Sequence, residues 1–445
     1  MILPTTVAVV LLPLAPAFTQ PTFERFTLLA LAAVLTSGRR TVANLLRTLG
    51  CLAIGHRTSY QRVLSGAHWS GLHLACLLCR QVLALLPADQ PVLLVGDDTV
   101  DGHKGKKVWG KARHRDPVRS TKSYTAWRYG HKWVVLAVLV RLPFATRPWA
   151  LPVLIDLYRG EDDNRRHRRR HRTPAQLLCR LVAVVLRWFP DRRFVLVGDA
   201  GYGSHEVACF CHRRRGRLTL VSKLHPDANL YTPPPRYRGR GRPRVKGRPL
   251  PKPRQAVAAA RRLRRLRVGW YGGGLRQVRV KTGTGHWYKS GKGLVPLRWV
   301  FVRDGTGTHR DEYFYTTDPS LTPAQVITLY TGRWNIETTF QEARAHLGLE
   351  TTRGWCRSTV RRAAPCLFGL YTAVALMFAA LPEAQRQGSV RWPGKAAVTF
   401  SDAITAVRRR LWSDWVFPQA GGGTALEKLP QPLQTLLFTA LAPAA

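Results

Sequence analysis

Two short runs end on carboxylates: Leu93-Leu94-Val95-Gly96-Asp97-Asp98 and Val195-Leu196-Val197-Gly198-Asp199-Ala200. Both read as apolar strands that deliver Asp at their carboxyl ends, where open α/β sheets place ligands. The chain has 25 Asp and Glu against 70 Lys and Arg. Two of its few acids on matching strands point to a divalent cation, because hard ions such as Mg²⁺ take oxygen ligands. A third carboxylate is expected from the segment Leu321–Glu350. Thr322, Pro323 and Gln325 form a capping box with Pro at the first helical position, and Gly348 ends the helix. Wound at about 100° per residue, Tyr330, Arg333, Glu337 and Arg344 fall within about 60° of one another. They border an apolar stripe of Leu329, Ile336, Phe340, Ala343 and Leu347. Such a face either lines a cleft or is a solvated face with an i,i+4 pair, Arg333 with Glu337. Spacing alone leaves both open.

The elements that must hold these residues follow from periodicity. Residues 1–88 show helical spacing, with Thr41 as an N-cap. Strands are expected at 92–97, 131–142 and 147–158, then a basic loop at 164–172. A helix runs from Thr173–Pro174 to Arg187, followed by the strand ending at Asp199, a helix around 204–214 and a strand at 218–224. Three strands in succession suit an antiparallel meander, and strands joined by helices suit parallel pairing. The expected fold is α/β: a ribonuclease-H-like mixed sheet with flanking helices, a strand-rich basic insertion and an N-terminal helical domain. The divisions are 1–88, helical and DNA-binding; 89–224, first part of the core; 225–317, insertion; 318–383, second part of the core; and 384–445, a weakly patterned tail with a helix at 401–412.

The net charge is 70 − 25 = +45, and the hydrophobic content is 45%. That combination excludes a disordered polycation and requires a polyanionic partner, for which nucleic acid is the natural candidate. The charge is clustered: between Asp227 and Asp304 there are 21 Lys and Arg and no acid. Within that stretch, Arg240-Gly241-Arg242-Pro243 resembles the core of an AT-hook, which lays Arg into a narrow minor groove. The insertion also carries Trp270, Trp287 and Trp299, read first as core residues. Eight cysteines lack a disulfide framework, and neither Cys76/Cys79 nor Cys209/Cys211 has a second half at zinc spacing. The apolar N-terminus, broken by Pro4, Pro13 and Pro16, reads as an arm packed on the fold. Ala363–Leu381 is long enough to span a bilayer but reads as a core helix, so no membrane partner is expected.

Tyr330-x2-Arg333-x3-Glu337-x6-Arg344 resembles the Tyr-Arg-Glu-Lys signature of bacterial insertion-sequence transposases of the DDE class. The likeness runs from about residue 60 to 381, with Arg344 where the family usually has Lys. Arg keeps the charge but is a fork rather than a point. The resemblance implies that Asp98, which precedes Thr99, together with Asp199 and Glu337 are the catalytic, metal-binding acids. It implies two Mg²⁺ ions about 3.5–4 Å apart, replaceable by Mn²⁺, that promote phosphoryl transfer. Asp98 would bridge both, and Asp97 is left without a role. Tyr330, Arg333 and Arg344 would hold phosphates beside the cut, and Arg240 and Arg242 would contact DNA elsewhere. The implied partner is double-stranded DNA, both transposon ends and target, bound by a homodimer in the bacterial cytoplasm at the nucleoid. Two alternatives stand beside this reading: a transposase-derived DNA-binding protein that no longer cuts, and a membrane protein built on Ala363–Leu381.

Overall fold

The computed structural model describes residues 3–116, 119–121, 123–237, 239, 241–386, 395 and 397–443. One mixed sheet holds eleven strands. They are β1 (Val92–Gly102), β2 (Ala112–Arg115), β3 (Trp127–Val140), β4 (Trp149–Tyr158), β5 (Phe194–Gly198), β6 (Leu218–Lys223), β7 (Leu230–Tyr231), β8 (Arg264–Gly269), β9 (Leu275–Lys289), β10 (Gly293–Asp304) and β11 (Glu312–Thr316). Their order is β2-β3-β1-β5-β6-β11-β10-β9-β7, with β4 also on β3 and β8 on β9. The expected meander is present: β1 pairs antiparallel with β3, and β3 with β4. The expected parallel pairs are present too, β1 with β5 and β5 with β6. β1 thus runs through the middle of the sheet. That position explains why Val92–Val95 is continuously apolar rather than alternating.

The stretch 225–317 is strand-rich, as its composition suggests. Its strands do not make a sheet of their own, because β11 pairs with β6 and β10 and β9 follow outward. The basic segment therefore continues the sheet that carries the acids. Residues 164–172 are not all loop: Glu161–Arg166 is a short helix. Its acids stand in the first turn and its arginines in the last, which suits the helix dipole.

Eight helices matter for the site: α1 (Gln20–Leu35), α2 (Gly71–Ala84), α3 (Pro174–Trp188), α4 (His205–His212), α5 (Pro323–Gly332), α6 (Asn335–Leu347), α7 (Arg357–Ala379) and α8 (Phe400–Leu411). Thr173 with Gln176 and Thr322 with Gln325 form reciprocal capping boxes. α7 is long and apolar enough to cross a membrane. Here it is packed inside the protein, with Phe368, Val374, Ala375 and Phe378 fully buried. Its Thr372 hydroxyl donates to the Pro152 carbonyl of β4 at 2.7 Å. The main core runs continuously from the N-terminal helices through β1, β3 and β4 to α7 and α8. A second, smaller core lies between α5 and the strands, built from Val195, Val197, Val300, Phe314, Ile327 and Tyr330 among others.

Two glycines let the layers close. A Cβ on Gly96 would sit 2.4 Å from the buried Leu178 of α3, and one on Gly130 only 1.7 Å from the Asp101 carbonyl. Side chains at these positions would push α3 off the sheet and prise β1 from β3.

Two buried arginines fasten the ends of the chain to α6. Arg40 donates through Nε to the Ala33 carbonyl at 3.3 Å and through its other nitrogens to the carbonyls of Gly38 and His346. Arg408 donates to the Val34 carbonyl at 2.6 Å and to that of His346 at 3.3 Å. Ala33 and Val34 lie in the last turn of α1 and His346 in that of α6. These carbonyls have no partner within their helices. Burial pushes both guanidinium groups down to about 10, and for Arg40 the charge of Arg408 adds to this. Both stay charged at neutral pH. Arg408→Met would fill the volume, leave the buried Val34 carbonyl without a donor and leave the His346 carbonyl with Arg40 alone, at about 1–3 kcal/mol for the orphaned group. The expected result is a lower midpoint in urea unfolding with an unchanged slope.

Candidate active site

Thr322 to Leu347 is two helices, not the single one expected. The break falls at Arg333–Trp334, both still in the right-handed helical region. There the N–H groups of Arg333, Trp334, Ile336 and Glu337 bond three residues back instead of four. Gly332 is a weak helix former, and the Asn335 side chain donates to its carbonyl at 2.9 Å. This tight turn aims Arg333 at the sheet and leaves Trp334 41% exposed.

Arg333 meets Asp97. One guanidinium nitrogen pairs with the Asp97 carboxylate, and another reaches Glu337 Oε1 at 3.0 Å. Successive side chains of a strand point to opposite faces. Asp97 therefore faces α5 and α6, and Asp98 faces the other way. The Asp98 carboxylate accepts from the Tyr202 hydroxyl at 2.9 Å and pairs with Lys132 Nζ at 2.8 Å. Asp199 follows Gly198, whose parallel partner is Gly96, so Asp97 and Asp199 stand abreast. Asp199 Oδ1 accepts from the N–H groups of Gly201 at 2.8 Å and Tyr202 at 3.2 Å, a turn that swings the tyrosine under the strand ends. Of the acids expected to act together, Glu337 meets Arg333 on the face of Asp97, Asp199 stands beside Asp97 at the next strand end, and the Asp98 side chain points to the opposite face.

The charges on this face are strongly coupled. Burial pushes the Asp97 carboxyl up to about 7; Arg333 opposes the rise and Asp199 adds to it. Burial alone would lower Arg333, but Asp97, Tyr330, Glu337 and Asp199 hold it above its usual value. Tyr202 is driven far above the ordinary phenol range by burial and then by Asp98.

The other expected residues divide. Arg344 lies on β1: it contacts the Thr99 hydroxyl, donates to the Val100 carbonyl at 3.3 Å and pairs with Glu350 at 3.0 Å. Tyr330 is 2% exposed and stacks on Phe314 with ring centroids 4.2 Å apart. The turn at Arg333 separates it from the open face. Arg242 is exposed, and Arg240 lies outside the described residues. Trp299 is buried, Trp287 packs against His205 and Tyr315, and Trp270 meets Tyr271 edge-on. Tyr202, Lys132 and Glu350 were not singled out from the sequence. Only Tyr202 carried a signal, three residues after the strand-end Asp199. Glu350 accepts from both Arg128 and Arg344, a junction with no local signature.

Among the described residues, one group of His, Cys, Asp and Glu brings three donor atoms within 4.8 Å of one another: Asp101, His103 and His131. It lies farther along β1 than Asp97 and Asp98. Its donors are already engaged: Asp101 accepts from the His131 N–H and from Trp133 Nε1, both at 3.1 Å, and faces His103 Nε2 at 3.3 Å. His131 Nε2 lies 2.8 Å from the Trp109 carbonyl. Burial works against the Asp101 charge, yet hydrogen bonds from His103 and His131 hold it well below the usual carboxylate range. Around Arg333 the donors are carboxylate oxygens alone, the kind a hard divalent cation takes. The guanidinium itself stands between Asp97 and Glu337.

The acids thus gather at adjacent strand ends of a mixed sheet, and comparison with known families places the chain. Residues 13–277 match the family described as DDE superfamily endonuclease, so the chain belongs to that family. The match spans Asp97, Asp98 and Asp199 and ends before Glu337. Among solved structures, the cryo-EM synaptic complex of piggyBac transposase with hairpin DNA is similar over 96% of this chain and 77% of that one, at 12% identity and a TM-score of 0.40. No curated protein matches.

The raised Asp97 has a consequence for stability. Between the ordinary carboxylate value of ~4 and about 7, the native chain keeps a proton that the unfolded chain has released. Stability of the metal-free protein should therefore fall as pH rises through that window and level off above it. Asp97→Asn should remove this part of the slope, read from urea unfolding at pH 5 and pH 7.5.

Proposed function

We propose that this DDE-family chain is a DNA transposase that cuts and joins strands at the inverted-repeat ends of an insertion sequence. The observation that carries the proposal is the meeting of three acids from three separate elements: Asp97 and Glu337 paired with one guanidinium, that of Arg333, and Asp199 abreast of Asp97 at the neighbouring strand end. The strand run β4-β3-β1-β5-β6, antiparallel and then parallel, supports a ribonuclease-H-like core. Asp97, Asp199 and Glu337 would hold divalent cations, Mg²⁺ or Mn²⁺. When bound, such ions activate water and stabilise the leaving oxygen of a phosphodiester. Asp98 was expected in that set from the Thr99 that follows it. The shared face favours Asp97, with Asp98 acting through Tyr202 and Lys132 on the far side.

Arg333 has two tasks in this scheme. Without a cation it neutralises Asp97 and Glu337, which would otherwise repel each other. Were the acids to hold a cation instead, its fork would be free to reach a phosphate, where Arg binds two oxygens at once. Arg344, tied to β1 and Glu350, fixes α6 against the strand that carries the acids. Lys223, paired with Glu312 at 2.5 Å and lying over the Tyr330 ring, extends the positive border of the cleft. The charge of +45 supplies salt-dependent affinity for the duplex. Pairing of two DNA ends by a homodimer at the nucleoid belongs to the same reading.

The test is a nicking and strand-transfer assay on end-containing DNA with Mg²⁺ or Mn²⁺. Asp97→Asn, Asp199→Ala and Glu337→Ala should each lower cleavage by about 10²-fold or more, the scale of losing one transition-state stabiliser. DNA binding should persist in all three. Asp98→Asn should keep cleavage; loss there together with activity in Asp97→Asn would return the role to Asp98. Cleavage that survives Glu337→Ala would refute the three-acid assignment, and a wild-type chain that binds but never cuts would leave a DNA-binding protein.

A further inference from the structure

Beyond β1 the sheet runs on as a narrow two-stranded ladder of β2 and β3, where Arg113 faces Tyr129, His114 faces Arg128 and Arg115 faces Trp127. Alternation sorts these residues cleanly. His114 is buried, and Arg128 turns inward to Glu350 at 2.6 Å. The opposite face carries Arg113, Arg115, Trp127 and Tyr129. Trp127 is 48% exposed and Tyr129 57% exposed. The Arg113 guanidinium lies over one face of the Trp127 ring, 4.1 Å from its centroid, and leaves the other face for a ligand.

We propose that this face is a binding site for unpaired DNA, with bases stacked on Trp127 and Tyr129 and phosphates held by Arg113 and Arg115. Two large rings left open on a strand face are not explained by the fold, whose cores lie elsewhere. Rings spaced two residues apart, with arginines facing them on the neighbouring strand, match what single strands need: flat surfaces for successive bases and charge along the backbone. A duplex offers no free base faces to such rings. The site is coupled to the cleft, since β3 leads directly from Trp127 and Tyr129 to the residues paired with Asp97 and Asp98. Eight residues along the strand lead from Trp127 to Val135, the partner of Asp97, or about 26 Å at ~3.3 Å per residue. The ladder is therefore placed to hold a strand freed by cutting. The identity of the ligand rests on the DNA reading above; the binding test itself needs neither metal nor catalysis.

The experiment is a metal-free titration of the full chain with fluorescein-labelled single-stranded oligothymidine and with a blunt duplex of equal length. Trp127→Ala and Tyr129→Ala should each weaken single-strand binding about tenfold, in line with the loss of one stacked base. Duplex binding should change less than about twofold, since bases paired within a helix do not use the rings. Trp127→Phe, which keeps a flat ring, should retain most of the affinity, and circular dichroism should show every variant folded. Equal losses on both DNAs, or no loss on the single strand, would overturn the proposal and leave the transposase reading intact. A wild-type chain that binds neither DNA would overturn both.

Discussion

The Arg333 guanidinium is the contact on which the candidate site depends. It stands between a carboxylate of the central strand and one on a helix far downstream, and it draws α6 onto β1. Without it, Asp97 and Glu337 would be acids of like charge turned to one another in a partly buried cleft. The turn that delivers Arg333 comes from a glycine and an asparagine, Gly332 and Asn335. That turn also places Tyr330 in the second core and Trp334 at the surface. A short stretch of backbone thus separates the packed half of the motif from its chemical half.

Alternation along β1 supplies the second constraint. Asp97 and Asp98 are neighbours in sequence but answer to different surroundings. One meets Arg333 and stands abreast of Asp199; the other meets Lys132 and Tyr202. The small residues Gly96 and Gly198 sit side by side just before these acids. At Gly96 the missing side chain lets α3 close on the sheet. The repeated Gly-Asp element therefore combines a packing requirement with a charge requirement.

Much of this was legible in the residues themselves. The meander, the parallel pair ending in Asp199, the helix start at Thr173, the capping box at Thr322 and the buried character of α7 all have local causes: hydrophobic period, turn chemistry and caps. What escaped depends on distant partners. Nothing around residues 312–316 announces that β11 will pair with β6 and carry the basic segment into the main sheet. The division between Asp97 and Asp98 needs the face on which α5 and α6 will land, which β1 alone cannot specify. The break at Arg333 was hidden because both flanking segments keep helical spacing, and only a side-chain bond to the Gly332 carbonyl favours the tighter turn.

The paired arginines at the end of α6 bear on the order in which the protein is made. Every acid of the cleft has been synthesised once Glu337 emerges, yet the carbonyl of His346 still awaits one of its two donors. That donor, Arg408, is supplied by α8, which also packs on α1 and α7. During synthesis the acid-bearing helix therefore lacks one of its fastenings until a much later helix has docked. The lock that joins α1, α6 and α8 is also a timer, tying a finished cleft to the docking of a helix made well after it.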